Sequence, residues 1–153
     1  MISIIVLLII IAILAFTFVV FIHELGHFLT AKWCGIRVNE FAIGMGPRII
    51  KWGKKETKYS IRLFPIGGFC AMEGEDSKSD DERAFGNKAV WKRMIVVCAG
   101  AVMNIILGFI LGMIMTSKNK VVKLTCRIYL EIVRIMPQLV LLFLVYFGAA
   151  KHL

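Results

Sequence analysis

The residues best suited to chemistry are two histidines and a glutamate in the segment His23-Glu24-Leu25-Gly26-His27. Two histidines four positions apart lie on the same face of a helix, so both imidazoles can bind one zinc ion. Glu24 would lie beside the metal, where a carboxylate can take a proton from the attacking water and later donate it to the leaving amine. The spacing therefore predicts zinc (Zn2+) ligands at His23 and His27 and a general acid/base at Glu24.

The source of a third metal ligand is left open by the sequence. A catalytic zinc normally has three protein ligands, and this motif supplies two. All three aspartates, Asp76, Asp80 and Asp81, lie in one polar stretch, and the acid and histidine after it are Glu131 and His152. Glu131 is the best internal candidate, although a surface or interfacial role suits it better.

The motif follows an apolar run that is long enough to cross a bilayer. Only Ser3 and Thr17 interrupt the apolar residues between Ile2 and Ile22, and roughly 20 helical residues span a bilayer core. A cleaved signal peptide is the alternative, but a basic start and a small-residue cleavage site are both missing. We predict a transmembrane helix over about 2–28, in which a His-Glu-His cluster indicates a functional site.

A second apolar run predicts a transmembrane helix over about 92–115. Gly100, Asn104, Gly108 and Gly112 recur at every fourth position, so they form a stripe of small or polar side chains that should face another helix. Asn104 would hydrogen-bond either to substrate backbone near the zinc or to a neighbouring helix. A third candidate span covers about 128–148.

The loop between the two helices predicts a β-hairpin on the cytoplasmic side. Residues 29–93 carry 13 Lys/Arg against 8 Asp/Glu, and the positive-inside rule places such a loop in the cytoplasm. Membrane orientation thus explains the net charge of +9 better than nucleic-acid binding does. Alternating residues over 57–64, after the segment 48–52, predict the hairpin, with breaks in regular structure at 44–47 and 65–69.

Four sequence blocks extend these observations over about residues 1 to 115. They are Phe21-Ile22-His23-Glu24-Leu25-Gly26-His27-Phe28, Phe41-Ala42-Ile43-Gly44-Met45-Gly46-Pro47, Arg62-Leu63-Phe64-Pro65-Ile66-Gly67-Gly68-Phe69 with Met72-Glu73-Gly74-Glu75, and Ala99-Gly100 with Asn104. With these blocks the sequence resembles the bacterial site-2 protease family, membrane-embedded zinc metalloproteases that perform regulated intramembrane proteolysis.

The resemblance implies zinc at His23 and His27, acid/base catalysis by Glu24, and a substrate contact by Asn104. The loop at about 41–69 looks like the family's membrane-associated β-loop, which can pair with an unwound substrate as an added strand. Gly67 and Gly68 permit such close approach. Expected partners are the lipid bilayer and transmembrane protein substrates, such as anti-sigma factors or signal-peptide remnants, in a multi-pass protein of the bacterial plasma membrane.

Three departures from the family pattern are visible. Ala101 stands where the family usually has proline, an Asp-Gly motif that supplies the third zinc ligand has no match, and a PDZ domain is missing. We therefore expect a family-like core over 1–116 and a divergent segment over 117–153, with a truncated or frame-shifted gene product as the hypothesis. The alternative function is a non-catalytic membrane binding module that lacks the third ligand.

Overall fold

The computed structural model describes residues 2–53, 56–116, 123, 124, 126, 127 and 130. Helix α1 covers Ile2–Trp33 and helix α2 covers Val90–Met115, and strands β1 (Val38–Trp52) and β2 (Lys58–Met72) lie between them, followed by a short 3-10 helix at Phe85–Asn87. The predicted pair of apolar helices with a β-hairpin between them is confirmed. The third predicted span, 128–148, lies outside the described residues except for residue 130, and the candidate ligands Glu131 and His152 also lie outside them.

Both helices are long and apolar enough to cross a membrane, as judged by length and composition, over Ile9–Trp33 and Val90–Met115. Helix α1 continues five residues beyond the predicted end at residue 28. It ends where Gly35 adopts a φ of 70°, and the amides of Gly35 and Ile36 donate to the carbonyls of Lys32 and Ala31. This pattern is a Schellman cap, which satisfies carbonyl groups that the last turn leaves unpaired.

The two strands pair antiparallel in one sheet, and both are longer than the sequence predicts. The predicted breaks at 44–47 and 65–69 are wrong, because β1 continues through the first segment and β2 through the second. Gly44, Gly46 and Gly67 have φ values of 84°, 87° and 80°. Since glycine adopts these angles without steric cost, the strands bend and change register at these positions and do not stop.

The bends place the first part of β1 between the two ends of β2. Glu40 lies opposite both Lys58 and Ala71, and Phe41 lies opposite both Tyr59 and Cys70. This part of β1 is therefore paired along both edges, and Phe41 is buried at 7% exposure. The rings of Phe28 on α1 and Phe41 lie 5.1 Å apart, which attaches the sheet to the first helix.

One buried cluster joins both helices and the sheet. Its members are Ala31, Cys34, Ile36, Val38, Phe41, Cys70 and Val96. Val96 comes from the first turns of α2 and is fully buried. All of these contacts lie within the first of two compact units, which ends at Phe109.

Ion pairs fix the polar segment that precedes α2. Glu56 accepts hydrogen bonds from Arg83 and from Lys32 at the end of α1, and these bonds lower the pKa of Glu56 to about 2. Asp81 pairs with Arg37 at 3.0 Å. The acidic stretch is therefore bonded to the end of α1 and to the residues just before β1.

Candidate metal centre

His23 and His27 lie on one face of α1, and His27 is six residues before the end of the helix. Their ring centroids are 4.8 Å apart, and the ring planes are nearly perpendicular at 81°. Both residues are half-buried. The spacing thus produces the adjacent imidazoles that the sequence predicts.

Gly100 of α2 lies directly against both imidazoles. A Cβ atom built at Gly100 would lie 2.5 Å from Nε2 of His27 and 2.6 Å from Nε2 of His23. The two ring nitrogens therefore converge on one small space that any side chain at position 100 would fill. Two imidazole nitrogens this close to one point can both turn toward a single zinc ion, so the residues fit a zinc half-site.

The close approach of the two helices depends on a second glycine. A Cβ atom at Gly26 would lie 2.6 Å from the carbonyl oxygen of Ala99, so a side chain there would push α2 away from the motif. The two glycines, one on each helix, bring the helix backbones together. The small-residue stripe on α2 thus faces α1 near the histidines, as the sequence predicts.

The orientation of His27 is fixed by the backbone of α2. Nδ1 of His27 lies 2.7 Å from the carbonyl oxygen of Val96. A carbonyl oxygen only accepts, so Nδ1 carries the hydrogen and Nε2 keeps its lone pair, as a metal ligand must. The sequence pattern does not predict this role of Val96, although Val96 lies one turn before Gly100 on the same helix face.

Asn104 lies beside His23. Its amide nitrogen Nδ2 is 3.3 Å from Nδ1 of His23, and its Oδ1 is buried without a hydrogen-bond partner. The sequence leaves open whether Asn104 bonds to substrate or to a neighbouring helix, and in the structure its contact is with His23 on α1.

Glu24 faces the end of strand β2. The backbone amide of Cys70 donates a hydrogen bond to the Glu24 carboxylate. A Cβ atom at Gly68 would lie 3.7 Å from Cγ of Glu24 and 2.8 Å from the carbonyl oxygen of Ala42, whereas one at Gly67 would meet Met45. Gly68 therefore lies next to the carboxylate, and Gly67 provides the bend that precedes it.

A cavity of about 580 Å³ opens beside Glu24 and His27, and its lining also includes Phe69, Cys70, Ala71, Met72, Glu75, Asp76 and Val97. Burial raises the pKa of the Cys70 thiol to about 12. The thiol therefore stays protonated at neutral pH. The cavity gives solvent a route to the carboxylate.

The described part of the chain contains two of the three expected ligands. Among these residues, no cluster of three or more His, Cys, Asp or Glu side chains could hold a metal ion. Asp76 lines the cavity, and Asp81 is engaged with Arg37.

Comparison with known proteins gives the family of the chain. Residues 11–150 match a family model described as peptidase family M50. A protein of Clostridium acetobutylicum that carries the name of a zinc metalloprotease is 55% identical over 103 residues, which are 67% of this chain and 30% of that protein. A similarly named protein of Clostridium perfringens is 48% identical over 118 residues, 74% of this chain and 35% of the relative.

A more distant relative comes from a plant. The membrane metalloprotease ARASP of Arabidopsis thaliana, named as chloroplastic, is 41% identical over 102 residues, 64% of this chain and 23% of that protein. The chain thus spans about a third or less of the length of these curated relatives.

Proposed function

The chain belongs to peptidase family M50, and from this membership we propose that it carries the zinc-binding histidines and the general base of an endopeptidase that cleaves membrane-embedded proteins. The observation that carries the proposal is the convergence of the His23 and His27 Nε2 atoms on the space beside Gly100. Zinc held there would supply Lewis-acid polarisation of the scissile carbonyl. The assignment of His23 and His27 as ligands rests on this convergence.

Glu24 acts as the general acid/base in this proposal. Its carboxylate accepts the Cys70 amide hydrogen bond, which holds it at the cavity wall beside His27. There it takes a proton from the attacking water as the new C–O bond forms. It then gives the proton to the leaving nitrogen as the C–N bond breaks.

The substrate is an unwound segment of a transmembrane protein. Strand β2 passes Glu24 at Gly68, so a peptide added to the sheet near this point would bring a peptide bond to the carboxylate. The bend before Gly68 carries exposed apolar side chains, including Leu63, Phe64 and Ile66, and Thr17 of α1 donates to the carbonyl of Pro65. Anti-sigma factors and signal-peptide remnants are substrates of the expected kind.

The third ligand comes from outside the described residues. Since the chain spans about a third of its bacterial relatives, another part of a longer protein or a partner chain can supply it. A non-catalytic membrane binding module is the second candidate function. The observation that favours it is the lack of a third ligand among the residues described.

Zinc content separates the two candidates. The protein is purified in detergent together with any partner or further segment that supplies the third ligand, and bound zinc per chain is measured by mass spectrometry for the parent, His27→Ala and His152→Ala. We expect near-stoichiometric zinc in the parent and little in His27→Ala, because one imidazole cannot hold the ion alone. Loss in His152→Ala would identify that residue as a ligand, and a parent without zinc would favour the binding module.

A further inference from the structure

Asn104 is an isolated polar group in an otherwise apolar stretch. Between Arg93 and Thr116 it is the only side chain that contains nitrogen or oxygen. An amide in such a setting costs free energy unless it is hydrogen-bonded. Its amide group contacts Nδ1 of His23 at 3.3 Å. Either the amide donates a hydrogen to Nδ1, or it accepts one from Nδ1.

The direction of this hydrogen bond determines which His23 nitrogen is free. If Nδ2 of Asn104 donates to Nδ1, the hydrogen of a neutral imidazole must be on Nε2, which then cannot bind a metal. If Oδ1 accepts from Nδ1–H, the lone pair on Nε2 is free. The two amide atoms are nearly equal in size and can be exchanged by a half-turn of the group, and Oδ1 is the atom without a partner.

His27 of the same site already has an oxygen acceptor at its Nδ1 atom. Its Nδ1–H donates to the Val96 carbonyl, and Val96, Gly100 and Asn104 follow one another at four-residue intervals on one face of α2. The face therefore presents an acceptor, a cleared space and an amide against the two histidines. An oxygen from Asn104 would give Nδ1 of His23 an acceptor, as the Val96 carbonyl gives one to Nδ1 of His27.

We propose that Asn104 is a positioning residue whose Oδ1 accepts the Nδ1–H of His23 and so directs the free Nε2 toward the space beside Gly100. This inference rests on the proposed zinc role of the two histidines, and it differs from the substrate contact that the family resemblance implies. Metal-ligating histidines commonly have such an acceptor on the other ring nitrogen.

The tautomer of His23 tests the proposal without metal. The metal-free chain is labelled with ¹⁵N in detergent, and ring nitrogen spectra are recorded for the parent, Asn104→Asp, which keeps an oxygen acceptor, and Asn104→Leu, which removes it. We expect the hydrogen on Nδ1 in the parent and in Asn104→Asp, and a shift toward Nε2–H in Asn104→Leu. A parent His23 with its hydrogen on Nε2, or an unchanged spectrum in Asn104→Leu, would overturn the proposal.

Zinc affinity gives a second readout, measured by competition with a coloured chelator. Asn104→Leu should bind zinc about 10- to 100-fold more weakly, whereas Asn104→Asp and the control Ile106→Ala should stay near the parent. A substrate contact predicts the opposite result, with unchanged zinc affinity and a changed KM for cleavage. A parent that binds no zinc would contradict the proposed function, while the tautomer measurement would still decide the role of Asn104.

Discussion

The space between His23 and His27 exists because position 100 has no side chain. Gly100 has no functional group, and its role is to leave room for the two imidazoles. Gly108, two turns later on the same helix, has nothing within 4 Å of the place where its Cβ would lie. Gly100 and Gly108 therefore form a matched pair: the site requires a glycine at position 100 and does not require one at position 108.

Gly100→Ala should lower zinc affinity by at least tenfold, because the added methyl group occupies the point on which both Nε2 atoms converge. Gly108→Ala should bind zinc as the parent does and should stabilise α2 by about 1 kcal/mol, since alanine favours helix more than glycine. Chelator competition and thermal unfolding check the two effects. Parent-like zinc binding by Gly100→Ala would place the metal elsewhere.

Glu24→Gln should keep zinc and lose cleavage, since the amide cannot take a proton from water. A missing general base costs about 10²- to 10⁴-fold in rate. Glu75→Gln is the control, because Glu75 lines the same cavity and has no proposed role. The measurement is cleavage of a membrane-protein substrate in detergent, with any missing ligand-bearing segment supplied. Equal rates for parent and Glu24→Gln would exclude the mechanism.

For individual residues, the sequence predicts the candidate ligands better than it predicts the residues of α2 that contact them. The four-residue spacing of His23 and His27 is a local property of one helix, so it predicts their proximity directly. The roles of Val96 and Gly100 depend on how α2 is placed against α1. No local pattern specifies that placement, and the glycine stripe predicts only that some helix lies there.

Among the elements, the sheet depends on a buried carboxylate between its strands. Glu40, with a side chain 12% exposed, pairs with Arg48 and Arg62 and accepts from Ser60. Burial alone would raise the pKa of Glu40, but the hydrogen bonds from Arg48, Ser60 and Arg62 outweigh burial and lower it to about 2. These residues come from both bent strands, so the cluster joins segments that are distant along the chain.

The pH dependence of stability follows from this shift. A carboxyl group whose pKa is lower in the folded state stabilises the fold above its ordinary pKa, and this contribution disappears as the pH falls toward the folded value. For Glu40 the window runs from 4.5 down to about 2. Glu40→Gln should be less stable than the parent at pH 7, and the difference should shrink toward pH 2.

Thermal unfolding of both proteins over this pH range measures the effect. The comparison with Glu40→Gln cancels the contribution of Glu56, whose pKa is also lowered to about 2 and which both proteins retain. A constant stability difference across the range would mean that Glu40 does not titrate in this window.

The strands also show why the extent of an element is harder to predict than its existence. Alternation over 57–64 predicts a strand correctly. Gly44 and Gly67 were expected to end regular structure, because glycine and proline commonly mark turns. Their positive φ angles bend strands that continue, since pairing with a neighbouring segment compensates for the weak local preference.

For the whole molecule, orientation in the membrane is the testable property. We expect the loop between the helices to face the cytoplasm because of its excess of Lys and Arg. A Ser77→Cys variant, with the native cysteines replaced, should react with a membrane-impermeant maleimide in inside-out vesicles and not in intact cells. Ser77 is exposed, so reaction in intact cells would indicate the reverse orientation.

For the whole molecule, the sequence predicts the family but not the complete metal site. Family membership follows from a few ordered blocks, whereas the third ligand cannot be inferred from them. A ligand that comes from another segment cannot be predicted from the sequence of the motif that it completes. His23 and His27 therefore predict that a ligand is needed but not its source.

The depth of the site has a consequence for the fate of a cleaved substrate. Trp33 and Trp91 are 78% and 58% exposed and adjoin Lys32 and Lys92, residue types that mark a membrane–water boundary. His27 precedes Trp33 by six residues, or about 9 Å of helix in a hydrocarbon layer about 30 Å thick. A protein cut there is divided unequally: the piece on the near side keeps too little apolar length to remain anchored and diffuses away, whereas the other piece stays behind. Under the proposed function, such a cut would release the near-side piece from one face of the membrane only.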